Sequence, residues 1–239
     1  MIKPFRQDRR GQTMENLKTI DTWIFDLDNT LYPAECNLFA QIDVRMKAFI
    51  AQALGMSEDE AFILQKKYFR EHGTTLRGLM DNHGITPGDF LDFVHDIDHS
   101  VLPCLPELGA ALAKLPGRRL IFTNGTVHHA RGVMAALGVG DHFEDIFDIV
   151  AADYLPKPNP APYARLIASH AIIPERAILF EDIAKNLKPA KALGMQTVFL
   201  KTDTRWAHPE GDVDYIDHEI DNLQVWLDQA IDSLNSHPT

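Results

Sequence analysis

The amino-acid sequence predicts an α/β protein: a parallel sheet with helices on both faces, and an all-helical block inserted after the first strand. Three observations predict it. Five short apolar runs recur through the chain, three of them ending in polar residues. Amphipathic helical stretches separate most of them, the alternation expected of a parallel sheet covered on both sides. Between the first and second runs the alternation fails, and residues 36–102 read as helix only. A chain of 239 residues is long enough to bury such a core without disulfide or metal staples.

Taken in order, residues 1–20 carry charges with no apolar stretch behind them, and are expected to be a mobile lead-in rather than a secretory signal. The first strand signal covers 22–29 and is followed by Tyr32-Pro33. Helices are then expected over 38–54, 57–71, 75–83 and 87–95, with Ser57 and Glu60 spaced as a capping box. Pro33 and Pro103 bracket this block as linkers. A helix over 107–115 precedes the second strand, 119–124. Another, 127–137, closes on Gly138, where a left-handed cap is expected. A weaker strand signal spans 146–151, followed by a helix at 161–170 and a strand at 177–182. The helix 184–193, closed by Gly194, leads to a strand at 196–200. The last helix, 221–234, carries Leu223, Leu227, Ile231 and Leu234 on one stripe, which should dock on the core. The core is thus assigned to 21–35 and 103–234, the helical insert to 36–102, and a frayed tail to 235–239.

Composition excludes several partners. There are 23 Lys+Arg against 34 Asp+Glu, a net charge of −11. That sign opposes nucleic-acid polymers and anionic membranes, which are bound through clustered Lys and Arg. No run of eighteen apolar residues offers a membrane span. Two cysteines, Cys36 and Cys104, cannot form a disulfide-dense scaffold. They lie in the two linkers and are expected to be free thiols of a cytoplasmic protein.

The chemistry lies where the apolar runs end: in Asp26 and Asp28, in Thr123 and Asn124, and in Glu181 and Asp182. In an open parallel sheet, ligands bind beyond the carboxyl ends of the strands, so these groups should converge. Lys157, in the loop 156–160 after the weak strand, could join them. Several carboxylates at one point repel unless a cation sits among them, and an all-oxygen donor set fits Mg²⁺ rather than zinc. Asp26 and Asp28, two apart on a strand, can address one ligand. One can stay ionised as a nucleophile while the other handles a proton. With the Thr123 hydroxyl, the next backbone N–H and the Lys157 charge, this is equipment for phosphoryl transfer to a small phosphorylated substrate.

The segments 25–31 (FDLDNTL), 122–125 (FTNG), Lys157-Pro158, and Glu181-Asp182 with Asn186 resemble the four motifs of the haloacid dehalogenase superfamily, in that family's order and spacing. The resemblance runs from about residue 20 to 201. It implies a Rossmann-like core, with the helical insert as a C1-type cap. It further implies that Asp26 is nucleophile and magnesium ligand, and that Asp28 is the acid/base, contributing its backbone carbonyl to the metal. Thr123 and the Asn124 backbone would hold the phosphoryl group and Lys157 would balance its charge. Asp182 would ligate magnesium directly, with Glu181 and Asn186 in the outer shell. Many relatives have a second Asp where this chain has Asn186. Asp28 argues against halide displacement, which needs no proton donor there. Asn29, Tyr32-Pro33, the string 73–79 and the string 98–103 look like the pyrimidine 5′-nucleotidase branch, implying UMP and CMP as substrates. Another small ester (a sugar phosphate or pyridoxal phosphate), a phosphomutase, and a non-catalytic binding protein remain alternatives.

Outside the motifs, Arg77 could reach a base carbonyl or sugar hydroxyl, though a helix arginine is more often solvated or ion-paired. Tyr32 could stack on a base or pack the hinge. His95 and His99, four apart, are read as a solvated or capping pair, and His128-His129 as surface residues.

Overall fold

The computed structural model describes residues 16–211 and 213–236. The parts of the lead-in and tail at 1–15 and 237–239 lie outside the described residues. Six parallel strands form one sheet in the order β3-β2-β1-β4-β5-β6. They are β1 Thr22–Phe25, β2 Arg118–Phe122, β3 Asp145–Phe147, β4 Ala177–Glu181, β5 Gln196–Leu200 and β6 His218–Ile220. The winding reverses at β1, which has β2 on one side and β4 on the other. This is the switch point at which a crevice opens. Register aligns Phe25 with Ile121 and with Phe180. The next residues along, Asp26, Phe122 and Glu181, therefore lie side by side at the carboxyl edge.

Alternation along the strands divides the core into two layers. Trp23, Phe25, Ile121 and Phe180 face one way, packing against α5 Pro106–Lys114, α6 Val127–Leu137 and α9 Leu223–Asn235. Ile24, Leu120, Phe122 and Leu179 face the other, against α7 Pro160–His170 and α8 Leu187–Ala192. Of the stripe on α9, Leu223, Leu227 and Ile231 are buried and Leu234 packs beside them, so that helix docks as expected. Between β1 and β2 lie the four inserted helices α1 Leu38–Leu54, α2 Glu58–His72, α3 Thr75–His83 and α4 Pro87–Val94. Their own core includes Ile42, Ile50, Tyr68, Leu79, Phe90 and Val94. The capping box forms: the Ser57 hydroxyl accepts from the Glu60 N–H, and the Glu60 carboxylate accepts from the Ser57 N–H. Among the described residues no helix is long and apolar enough to cross a membrane.

Several expectations need correction. Leu17 and Ile20, assigned to the mobile lead-in, are buried in the core, Leu17 on a 3-10 turn over Asn16–Thr19. Asn235, assigned to the tail, ends α9. The weak strand stops at Phe147 because Asp148 turns the chain, its Oδ1 accepting from the N–H groups of Val150 and Ala151. The first strand stops at Phe25, and the next residues form a turn closed by the Leu31 N–H on the Leu27 carbonyl, with Asn29 left-handed at φ 59°. The edge strand β6, three residues long, has no counterpart in the sequence reading, since one buried–exposed–buried triplet carries no periodic signal.

The insert packs closely at one point. A Cβ on Gly78 of α3 would lie 2.3 Å from Cγ of Tyr68 on α2. Gly78→Ala is therefore expected to destabilise the protein by about 1–3 kcal/mol in urea unfolding. Gly88→Ala, where a Cβ meets nothing within 4 Å, should be neutral or mildly stabilising, by up to about 1 kcal/mol.

Candidate active site

The centre of the carboxyl edge is a buried lysine. The Lys157 ammonium donates to Asp26 Oδ1 at 2.7 Å, Glu181 Oε2 at 2.7 Å and the Phe122 carbonyl at 2.8 Å. An ammonium has three hydrogens, and all three are used. Its loop is fixed by the Lys157 N–H donating to the Asn124 side-chain oxygen at 2.9 Å, and the Lys157–Pro158 bond is cis. Asp26, Lys157, Glu181 and Asp182 are all buried.

Three carboxylates surround that one cation. Burial first, then Glu181, push the Asp26 carboxyl up to about 7, against the pull of Lys157. Burial and the neighbouring Glu181 and Asp26 likewise hold Asp182 well above the usual carboxylate range. Both shifts express an excess of negative charge. Ligand oxygens of Asp26, Glu181 and Asp182 lie within 4.8 Å of one another. Both Glu181 oxygens already accept protein hydrogen bonds, Oε2 from Lys157 and Oε1 from Ile183 N–H and Asn186 Nδ2. Asp182 Oδ1 is buried with no hydrogen-bond partner. Hard oxygens, surplus negative charge and an orphaned carboxylate oxygen fit a divalent cation such as Mg²⁺.

Asp28 has different surroundings. Its Oδ1 accepts from Tyr32 Oη at 2.6 Å and faces His129 Nε2 at 2.9 Å. Burial pushes this carboxyl up, but His129 and the Tyr32 hydrogen bond outweigh it and leave it below the usual range. Burial and Asp28 raise the Tyr32 phenol, which stays a donor. Two aspartates on one turn thus sit in opposite electrostatic settings. Thr123, buried, accepts the Gly125 N–H on its hydroxyl at 2.9 Å.

The histidine readings are corrected. His129 is not a surface residue: it is fully buried on Asp28, and its ring stacks on that of His95 with centroids 4.5 Å apart and planes 9° from parallel. His95 is buried too, with Nδ1 hydrogen-bonded to Thr126 Oγ1 at 3.2 Å. A usable signal existed for His129. It lies in the first turn of a helix that starts at the crevice, N-capped by Thr126. Thr30, also missed, donates its hydroxyl to Asp26 Oδ2 at 3.3 Å. Asp148, missed as well, is buried and accepts the Val127 N–H, anchoring the start of α6. Arg77 is not brought to Asp26 in this arrangement; its guanidinium pairs with Asp81 one helical turn away, at 2.6 Å and 3.0 Å. Both cysteines are free.

The signature of the haloacid dehalogenase-like hydrolases matches residues 20–194, and the chain belongs to that family. It is 29% identical over 196 residues to Phosphate metabolism protein 8 of Saccharomyces cerevisiae, covering 72% of this chain and 59% of that protein. It is 29% identical over 165 residues to Enolase-phosphatase E1 of Frankia alni, covering 68% and 63%. The match thus spans about three fifths of either relative's length. In fold it is similar to an HAD phosphatase from Thermococcus onnurineus, with TM-score 0.62 and 18% identity over 91% of this chain and 100% of that one. It is also similar to CbbY from Rhodobacter sphaeroides, with TM-score 0.58 and 16% identity over 84% and 94%.

Two outcomes follow from this geometry. Lys157→Met leaves buried carboxylates without their cation and is expected to cost about 3–5 kcal/mol in urea unfolding. The second concerns acid. Burial, with His129 alongside, lowers His95 from 6.5 to about 3. Below pH 6.5 the unfolded chain takes up a proton there that the native protein refuses, so the stability carried by neutral His95 is complete above that pH and is lost as pH falls. Relative to wild type, His95→Phe should gain up to about 1.4 kcal/mol per pH unit as unfolding midpoints are followed downward from about pH 6.

Proposed function

We propose that the chain is a Mg²⁺-dependent phosphomonoesterase working through an aspartyl-phosphate on Asp26, with pyrimidine nucleoside 5′-monophosphates such as UMP and CMP as substrates. The observation that carries it is the division between two neighbouring aspartates: Asp26 against Lys157 and Glu181, Asp28 against Tyr32 and His129. A cation bound among Asp26, Glu181 and Asp182 would return the raised Asp26 carboxyl to the ionised form a nucleophile needs, while the Asp28 side chain, outside that cluster, is left to exchange the proton.

In the first half-reaction an Asp26 oxygen attacks phosphorus, the P–O bond to the leaving alcohol breaks, and Asp28 supplies the proton the departing oxygen needs. In the second, Asp28 takes a proton from water, which attacks phosphorus and frees Asp26 and inorganic phosphate. The lowered carboxyl of Asp28 suits its role as base. An arriving phosphate dianion would raise its proton affinity and suit the acid step. Thr123 and the Asn124 N–H would hold the phosphoryl oxygens. Lys157 acts through Asp26 and Glu181, since its donors are already engaged. Asp26, Asp182 and the Asp28 carbonyl would hold the magnesium, which supplies charge neutralisation for the phosphoryl group when bound. Glu181 and Asn186 would support these ligands from behind, Asn186 donating to Glu181 at 3.1 Å.

The helical insert is read as a C1-type cap closing over the leaving group. The strings 73–79 and 98–103 support the pyrimidine substrates, together with Asn29 and Tyr32-Pro33. A contact from Arg77 to a base would require it to leave Asp81. The free thiols Cys36 and Cys104 support a cytoplasmic location.

A phosphate-release panel with Mg²⁺ tests the reading, covering UMP, CMP, sugar phosphates and pyridoxal phosphate. Release should be fastest on the pyrimidine nucleotides, and Asp26→Asn should lower it by at least about 10³-fold with the fold intact. Stability should survive because the substitution removes one of three mutually repelling carboxylates. Substantial turnover by Asp26→Asn would sink the nucleophile assignment. No release from any ester would favour a binding protein, and dependence on a bisphosphate with little release a mutase.

A further inference from the structure

One oxygen of Asp28 is held from two sides, by the segment that leaves the core for the helical insert and by the start of α6. On the outgoing side, Tyr32 donates to Oδ1 at 2.6 Å. On the other, His129 Nε2 lies 2.9 Å from the same oxygen. A carboxylate only accepts, so Nε2 carries the proton. His129 is itself backed by the returning segment: His95, directly after α4, stacks on its ring at 4.5 Å and 9°. Thr126 Oγ1 completes the link, bonding His95 Nδ1 and accepting the His129 N–H, each at 3.2 Å. His99, farther along the returning segment, lies 5.8 Å from the His129 ring. It packs so closely on α6 that a Cβ at Gly132 would fall 2.8 Å from its imidazole.

We propose that His129 is a positioning residue for Asp28, held in place by His95 of the returning segment, and that with Tyr32 it immobilises Oδ1 so that Oδ2 faces the reacting oxygen. The proposal rests on reading Asp28 as the acid/base. It assigns the histidine pair a task the four motifs do not contain: the connections of the insert orient the proton-transfer group. An imidazole without exposed surface, stacked face to face on another, has little freedom to turn, so its N–H fixes a direction.

Leaving-group dependence tests this, because a misplaced proton donor matters only when the departing oxygen needs a proton. His129→Phe keeps the ring stack and removes the donor. It should lower kcat/KM by about 10²-fold for an alkyl phosphate but only a few-fold for p-nitrophenyl phosphate, whose leaving group departs without protonation. His129→Gln, which restores an N–H near that position, should recover most of the loss. His95→Ala and Tyr32→Phe should show smaller losses with the same dependence, and they decide the matter if His129→Phe does not fold. Equal losses on both esters, or no loss, would overturn the proposal. Asp28→Asn run alongside separates the two ideas. If it shows the dependence and the positioning variants do not, only the positioning role fails. If Asp28→Asn lacks it, the acid/base reading fails and the proposal with it.

Discussion

One buried ammonium ties three strand ends together. Lys157 comes from a loop beyond β3, yet it bonds the carboxyl ends of β1, β2 and β4 through Asp26, the Phe122 carbonyl and Glu181. Burying that many charged groups is costly, and apolar residues of similar volume would often serve stability better. The arrangement makes sense as positioning. It sets Asp26 at the switch point, engages Oδ1 and leaves Oδ2 beside Thr30. It also leaves the pocket short of positive charge, a setting that fits a divalent cation. Geometry and charge at the crevice thus follow from one interaction.

The strand ends were legible in the sequence for a definite reason. A polar residue that closes an apolar run must find a partner or face a crevice, so Asp26, Thr123 and Glu181 announce themselves. Lys157 was legible only by association, because nothing in Pro-Lys-Pro-Asn-Pro says that its side chain is buried. The inserted helices were legible nearly to their ends from their amphipathic spacing and, at one of them, from the Ser57 cap. His129 left only a faint trace, its place in the first turn of a helix that starts at the crevice. Its surroundings come from Asp28 on the β1 turn and His95 beyond α4, contacts 101 residues away in one case, and an imidazole is equally at home in water. Leu17 was hidden by its charged neighbours, and β6 by its brevity.

The net charge of −11 at first argues against an anionic ligand. The site answers this locally. Surface charges act through water and salt, over roughly 8 Å under physiological conditions, whereas the crevice acts at contact through groups out of water. Part of the acidic surplus is itself gathered in the crevice, in Asp26, Asp182 and Glu181 around Lys157. Asp28 adds no burden of the same kind, because Tyr32 and His129 donate to it. The surplus still weighs against polymers of phosphate, which would have to meet the whole surface at once.

The position of the insertion connects these facts. The helical block leaves the core directly after the β1 turn that carries Asp26 and Asp28, and returns just before α5 and β2. Its outgoing segment therefore passes Asp28, where Tyr32 lies, and its returning segment passes the start of α6, where Thr126 and His129 lie. Had the helices been inserted after β4 or β5, neither segment would meet the first strand's turn. The insert is thus more than a cover placed over a finished site. Its two connections supply or support both donors on Asp28, while Lys157, anchored wholly in the core, holds Asp26. One aspartate is thus held from within the core and the other at the boundary between core and insert.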